Sequence, residues 1–184
     1  MNEQRRTVFV PPSLRYDILN WAHQSGQEQR ALLSATQEGD IIVPKSFITS
    51  KDFVGAATGE HCEPSKKYFN AIWGMDTPIV IPLHSHPSYY SNAGQSKADA
   101  KVFEREHHMF GSTDWRSFLL KLVAFIATGA IPSGSRKEII DGIASLRDVA
   151  FYEYLSNKKE GIRQLMTISQ MEPQNSMGNV NTSC

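Results

Sequence analysis

The chain has 184 residues, 40% of them hydrophobic and 21% charged, and its 19 Lys plus Arg balance 19 Asp plus Glu to a formal net charge of zero. That length suits one domain with a sizeable core, and the charge balance lacks the basic footprint of a nucleic-acid binder or of a surface that depends on anionic lipid. Two cysteines, Cys62 and Cys184, make no disulfide framework. No signal-peptide core precedes Pro11 and Pro12, and the longest apolar stretch, 118–131, is broken by Lys121 and too short for a membrane span. The expectation is a cytoplasmic protein with no membrane and no nucleic-acid partner.

In chain order, Ser13 can cap a helix that places Leu14, Ile18, Leu19, Trp21 and Ala22 at helical spacing. Residues 31–35 and 41–44 flank Gln37-Glu38-Gly39-Asp40 as a strand–turn–strand hairpin. Residues 64–73 read as a short helix with Tyr68, Phe69, Ile72 and Trp73 on one side, and 77–83 as an apolar strand whose end delivers His84. Ser96 can cap a helix running through Val102 and Phe103 to Phe110, with Gly111 as its stop. The run 121–131 is either a buried strand or a helix, because periodicity alone does not separate them in so short an apolar segment. Residues 135–146 read as helical, and 148–155 and 162–168 as a hairpin around 157–161. The pattern gives a mixed α/β (α+β) class with one domain over 1–171, followed by a polar, disordered tail over 172–184.

The segment His84-Ser85-His86-Pro87, followed by Ser96-Lys97-Ala98-Asp99, carries the chemistry. Histidines at i and i+2 of an extended chain lie on one side of it, and an aspartate in the first turn of the next helix completes three ligands. Two His and one carboxylate suit Zn²⁺ with water in the fourth position, the open arrangement of catalytic rather than structural zinc.

These residues resemble the JAMM (MPN-plus) zinc metallopeptidases, whose pattern is a distant glutamate, then His-x-His-Pro, a loop, and Ser-x-x-Asp. Glu28-Gln29-Arg30-Ala31-Leu32-Leu33, directly after the first helix, is similar to that family's glutamate-led strand, with Ala31 where many members have glycine. Nine residues separate His86 from Ser96, two more than is usual in the family. Over roughly residues 8 to 130 the resemblance implies a JAMM/MPN-like fold, a central mixed β-sheet flanked by helices. It implies His84, His86 and Asp99 as zinc ligands, Glu28 as the general base acting on a metal-activated water, and Ser96 as a hydroxyl that helps hold the oxyanion. The implied activity is a peptidase or isopeptidase acting on a protein or peptide, such as the C-terminal tail of a ubiquitin-like or sulfur-carrier protein.

Other assignments compete. From the residues alone, Glu28 is also readable as a solvated charge at a strand start, and Glu38 as an exposed turn residue. His107 and His108 project about 100° apart on a helix, which makes them partly exposed residues before it makes them ligands. His61-Cys62-Glu63 resembles a ligand cluster but sits in a loop flanked by Gly and Pro, while Tyr89 and Tyr90 are placed to touch a substrate or to pack under their loop. The main alternative is a catalytically inactive MPN-like scaffold that binds protein partners. A zinc deaminase is disfavoured because no Cys-x-x-Cys pair is present. Substrate identity and oligomeric state have no signal in the sequence.

Overall fold

The computed structural model describes residues 5–24, 26–58, 61–86, 92–155 and 161–169, with backbone alone at 56–58, 61 and 62. The elements are β1 (Thr7–Phe9), α1 (Pro12–His23), β2 (Arg30–Glu38), β3 (Ile41–Thr49), a 3-10 turn (Lys51–Phe53), β4 (Val54–Thr58), β5 (His61–Pro64), α2 (Lys66–Gly74), β6 (Ile79–Ser85), α3 (Lys97–Gly111), α4 (Trp115–Thr128), β7 (Glu138–Ala144), β8 (Val149–Tyr154), β9 (Ile162–Gln164) and β10 (Met166–Ile168). Eight strands form one mixed sheet in the order β10-β1-β3-β2-β6-β7-β8-β9, and β4 and β5 form a separate hairpin.

Leu165 alone separates β9 from β10, yet these strands occupy opposite edges of the sheet. The sheet therefore curls until its edges meet. Glu153 of β8 joins them: it accepts from Arg6 Nε, just ahead of β1, at 2.9 Å, and from Arg163 Nε of β9 at 2.7 Å. The curl gives two cores. One face packs Val8, Leu33, Ile42, Ile81, Ile140 and Phe151 against Ile18 and Trp21 of α1. The other packs Leu32, Val80, Ile139 and Ile143 against Tyr68 and Ile72 of α2 and Phe103 and Phe110 of α3. Strand alternation sorts the residues: even positions of β2 and β6 and odd positions of β7 face the second core.

Several sequence expectations need correction. Pro11, not Ser13, is the N-cap of α1, and Pro12 opens the helix, where its missing N–H costs nothing. Segment 135–146 is not a helix; it contributes strand β7, paired with β6 in parallel and β8 antiparallel. Covered on both faces, it shows apolar residues on both, which hides a period of two, while its three β-branched isoleucines suit the pleat. Gly142 makes room there: a Cβ would come 2.8 Å from Leu83 Cδ1 on the adjacent strand, and that side chain would have to shift. Segment 162–168 splits, β9 returning antiparallel to β8 as expected and β10 crossing to pair in parallel with β1. Of the undecided run 121–131, residues 121–128 lie in helix α4, which is opened by an Asp114 cap that accepts from Ser117 N at 2.8 Å and closed by left-handed Gly129. Gly111 is the last residue of α3 rather than a stop beyond it. Tyr89, Tyr90 and the 172–184 tail lie outside the described residues, as do the side chains of His61 and Cys62.

Candidate metal centre

Antiparallel pairing of β2 with β6 puts Arg30 opposite His84, and the parallel β7 carries Asp141 on the same sheet face. Gln29 ties the entry of β2 to the end of β6: its N–H donates to Ser85 Oγ at 2.9 Å, and its carbonyl accepts from Ser85 N at 3.0 Å. This lock fixes Glu28 beside the histidine strand, and Glu28, His84, Asp99, Glu106, Asp141 and Arg30 line one cleft.

The opposite wall is α3. Ser96 caps it, its Oγ accepting from Asp99 N at 3.1 Å, while Asp99 Oδ2 accepts from Ser96 N at 2.7 Å. This reciprocal capping box holds the Asp99 carboxylate at the helix N-terminus, where the dipole favours its charge. Asp99 Oδ1 lies 3.5 Å from His84 Nε2, and Asp99 Oδ2 lies 3.5 Å from His86 Nε2. One ligand atom from each of the three residues falls within 4.8 Å of the others.

Both imidazoles are held from behind. His86 Nδ1 faces the Asn92 carbonyl at 3.2 Å, and His84 Nδ1 faces Asp141 Oδ1 at 3.9 Å. With a metal bound, a proton on each Nδ1 would leave each Nε2 lone pair free for it, the tautomer a metal ligand needs. His84 Nε2 is buried without a hydrogen-bond partner. Burial disfavours the charged form of His84, yet Asp99 and Asp141 outweigh it and raise its pKa. Burial likewise opposes ionisation of Asp99, but the two histidines hold its carboxyl far below the usual range.

The charge count of the cleft favours a cation. Four carboxyl groups (Glu28, Asp99, Glu106 and Asp141) line it with one guanidinium, Arg30. Arg30 is already engaged by Glu106 at 3.4 Å, and Glu106 Oε1 also accepts from Tyr68 OH at 3.1 Å. Burial, with Glu106 adding to it, pushes the Asp141 pKa up to about 7 against the opposing pull of His84. A divalent cation on His84, His86 and Asp99 would offset this excess, and two nitrogens with one oxygen suit zinc.

The structure thus brings Glu28, His84, His86, Ser96 and Asp99 to one locus. Asp141, Arg30, Glu106 and Tyr68 were not identified from the sequence; they come from β7, β2, α3 and α2, and nothing local marks them. Asp141 Oδ2 also accepts from Gln95 Nε2 at 2.9 Å, and Gln95 N donates to Tyr152 OH at 3.2 Å, so one carboxylate braces both His84 and the segment entering α3. Asp141→Ala is expected to weaken metal binding by about 10–100-fold, the usual effect of losing the group behind a ligand histidine; zinc titration against a fluorescent chelator measures it. His107 and His108 stay outside the cluster: His107 stacks on Tyr154 at 4.4 Å, and His108 Nε2 meets Arg116 Nη1 at 3.1 Å. Glu38 is exposed at the end of β2.

No protein-family model matches the chain, and no curated protein matches it significantly. Among solved structures it is similar to the solution structure of protein DSY2949 from Desulfitobacterium hafniense, at 16% identity and a TM-score of 0.52, over 92% of this chain and 97% of that one. That likeness concerns the fold alone. Among the described residues, no helix is long and apolar enough to cross a membrane.

Proposed function

We propose that the chain is a zinc-dependent peptidase or isopeptidase of the JAMM type, and that its substrate is an extended protein or peptide tail. The observation that supports this reading most is the meeting of Glu28 with His84 and Asp99 in one cleft, although 55 residues of sequence lie between Glu28 and His84. His84, His86 and Asp99 would hold the metal, leaving a position open because they supply only three ligand atoms. When bound, zinc supplies Lewis-acid polarisation of an amide carbonyl and a water made acidic enough to lose its proton near neutral pH.

The chain's own residues supply the remainder. Glu28 sits at the mouth of β2, half-buried, and accepts a proton there that it later returns to the leaving amine. Ser96 Oγ uses a lone pair on Asp99 N, so its O–H proton is available to donate to a developing oxyanion. The Asp99 cap keeps that hydroxyl and the ligand carboxylate in fixed relation. Arg30, held by Glu106 beneath the site, limits the local negative charge without competing for the metal.

Glu28→Gln is isosteric and lies outside the three-ligand set. Cleavage of a fluorogenic isopeptide panel is expected to fall at least a hundredfold, with zinc stoichiometry unchanged, because general acid–base assistance is worth about 10²–10⁴-fold. Zinc bound with equal activity in both proteins contradicts the role of Glu28, and zinc bound with no activity in either favours a partner-binding scaffold.

A further inference from the structure

Helix α4 is built inside out. Its protein-facing side carries Ser117 and Ala124, at 1% and 5% exposure, with Leu120 the one larger apolar residue packed on the second core. Its outer side carries Trp115, Leu119, Leu122 and Ile126, at 70, 41, 42 and 73% exposure. A helix completed by its own domain shows the reverse arrangement. Of the eleven exposed large hydrophobics among the described residues, seven lie on this one helix.

The spacing is equally specific. Trp115, Leu119, Leu122 and Ile126 follow each other by four, three and four residues, the alternation that forms a helix-packing seam. Phe118 and Phe125 flank it, and Trp115 stacks on Phe118 at 5.3 Å. These six residues are 41 to 73% exposed, and with three aromatics of about 150–250 Å² each among them they offer an area on the scale of the ~800 Å² that each partner buries in a stable interface of standard size.

The charges indicate what covers the seam. The charged residues of α4 are Arg116 and Lys121. Arg116 is engaged by Glu104 at 2.9 Å and by His108, and Lys121 lines a cleft with Trp73 and Phe110 on another side. No ionised group stands within the seam, so nothing selects an oppositely charged partner and nothing repels a copy of the same surface. A two-fold interface must be self-complementary, which an uncharged apolar seam satisfies. A membrane-surface helix would carry a lysine- and arginine-rich rim, which α4 lacks. Segment 170–184 has only Met171, Met177 and Val180 as larger apolar residues, and is chemically a poor cover.

From these observations we infer that the outer face of α4, centred on Leu119 and Leu122, is the interface of a two-fold homodimer of this chain. Sedimentation equilibrium of the full chain at micromolar concentration is expected to give a dimer. Leu122→Glu and Ile126→Glu each place a charge in the seam, and are expected to weaken association at least about a hundredfold, the scale of an interface hot spot. Both positions are solvent-exposed in one chain, so circular dichroism of the variants should match wild type. A wild type that stays monomeric overturns the proposal, as does a wild-type dimer that both variants preserve. A monomeric wild type that co-sediments with phosphatidylcholine–phosphatidylglycerol vesicles assigns the face to lipid instead.

Discussion

Asp99→Asn is expected to abolish high-affinity zinc binding while keeping the capping box of α3. Asp99 serves two ends: each carboxylate oxygen faces one histidine Nε2, and Oδ2 also accepts from Ser96 N to close the capping box of α3. Asparagine retains a carbonyl oxygen for the cap but loses the anion. A structural zinc contributes about 10–16 kcal/mol shared over three or four ligands, so one lost ligand corresponds to roughly a thousandfold or more in affinity. Asp99→Ala loses both, and about 1 kcal/mol of cap stability should disappear with the metal affinity. Thermal unfolding with and without zinc separates the effects. Zinc should raise the unfolding temperature of wild type and neither variant, and when metal-free Asp99→Ala should unfold earlier than Asp99→Asn.

Arg30→Met is expected to cost the most folding stability of the substitutions considered. Arg30 is 4% exposed and Glu106 2%, and the guanidinium lies over the Tyr68 ring at 5.3 Å. Removing the arginine leaves Glu106 buried near Asp141 and Asp99 without its cation, a loss of about 3–5 kcal/mol for a broken buried pair. The pair itself is worth much less than that figure, because desolvation opposes the attraction. The double variant Arg30→Met/Glu106→Gln is therefore expected to be more stable than Arg30→Met alone, a coupling that urea unfolding of all four proteins measures. If the effects simply add, the ion pair does not hold β2 to α3.

The ligand motif was legible because its pieces are local. A strand end sets the phase of His84 and His86, and a helix cap sets that of Asp99; both signals span only a few residues. Glu28 required the resemblance, since no spacing rule connects it to His84; the Gln29–Ser85 pairing that does so is a property of the folded sheet. Strand β7 was misread because burial on both faces removes alternation, and with it went Asp141, which the helical reading placed on no particular face. Arg30, Tyr68 and Glu106 read as an ordinary strand-start charge, a core aromatic and a helix acid. Only packing joins them. The curl of the sheet was equally hidden, because it follows from β9 and β10 separating at Leu165 to opposite edges. The run 121–131 is ambiguous in the sequence because it is short and almost wholly apolar, which leaves no period to read.

The proposed function rests on a metal held by His84, His86 and Asp99. Isothermal titration of the chelator-treated full chain with zinc tests that directly: one equivalent bound per chain by wild type, and none by a His84→Ala/Asp99→Ala double variant, is the predicted result. A wild-type chain that folds but binds no zinc, or a double variant that binds it as tightly as wild type, contradicts it.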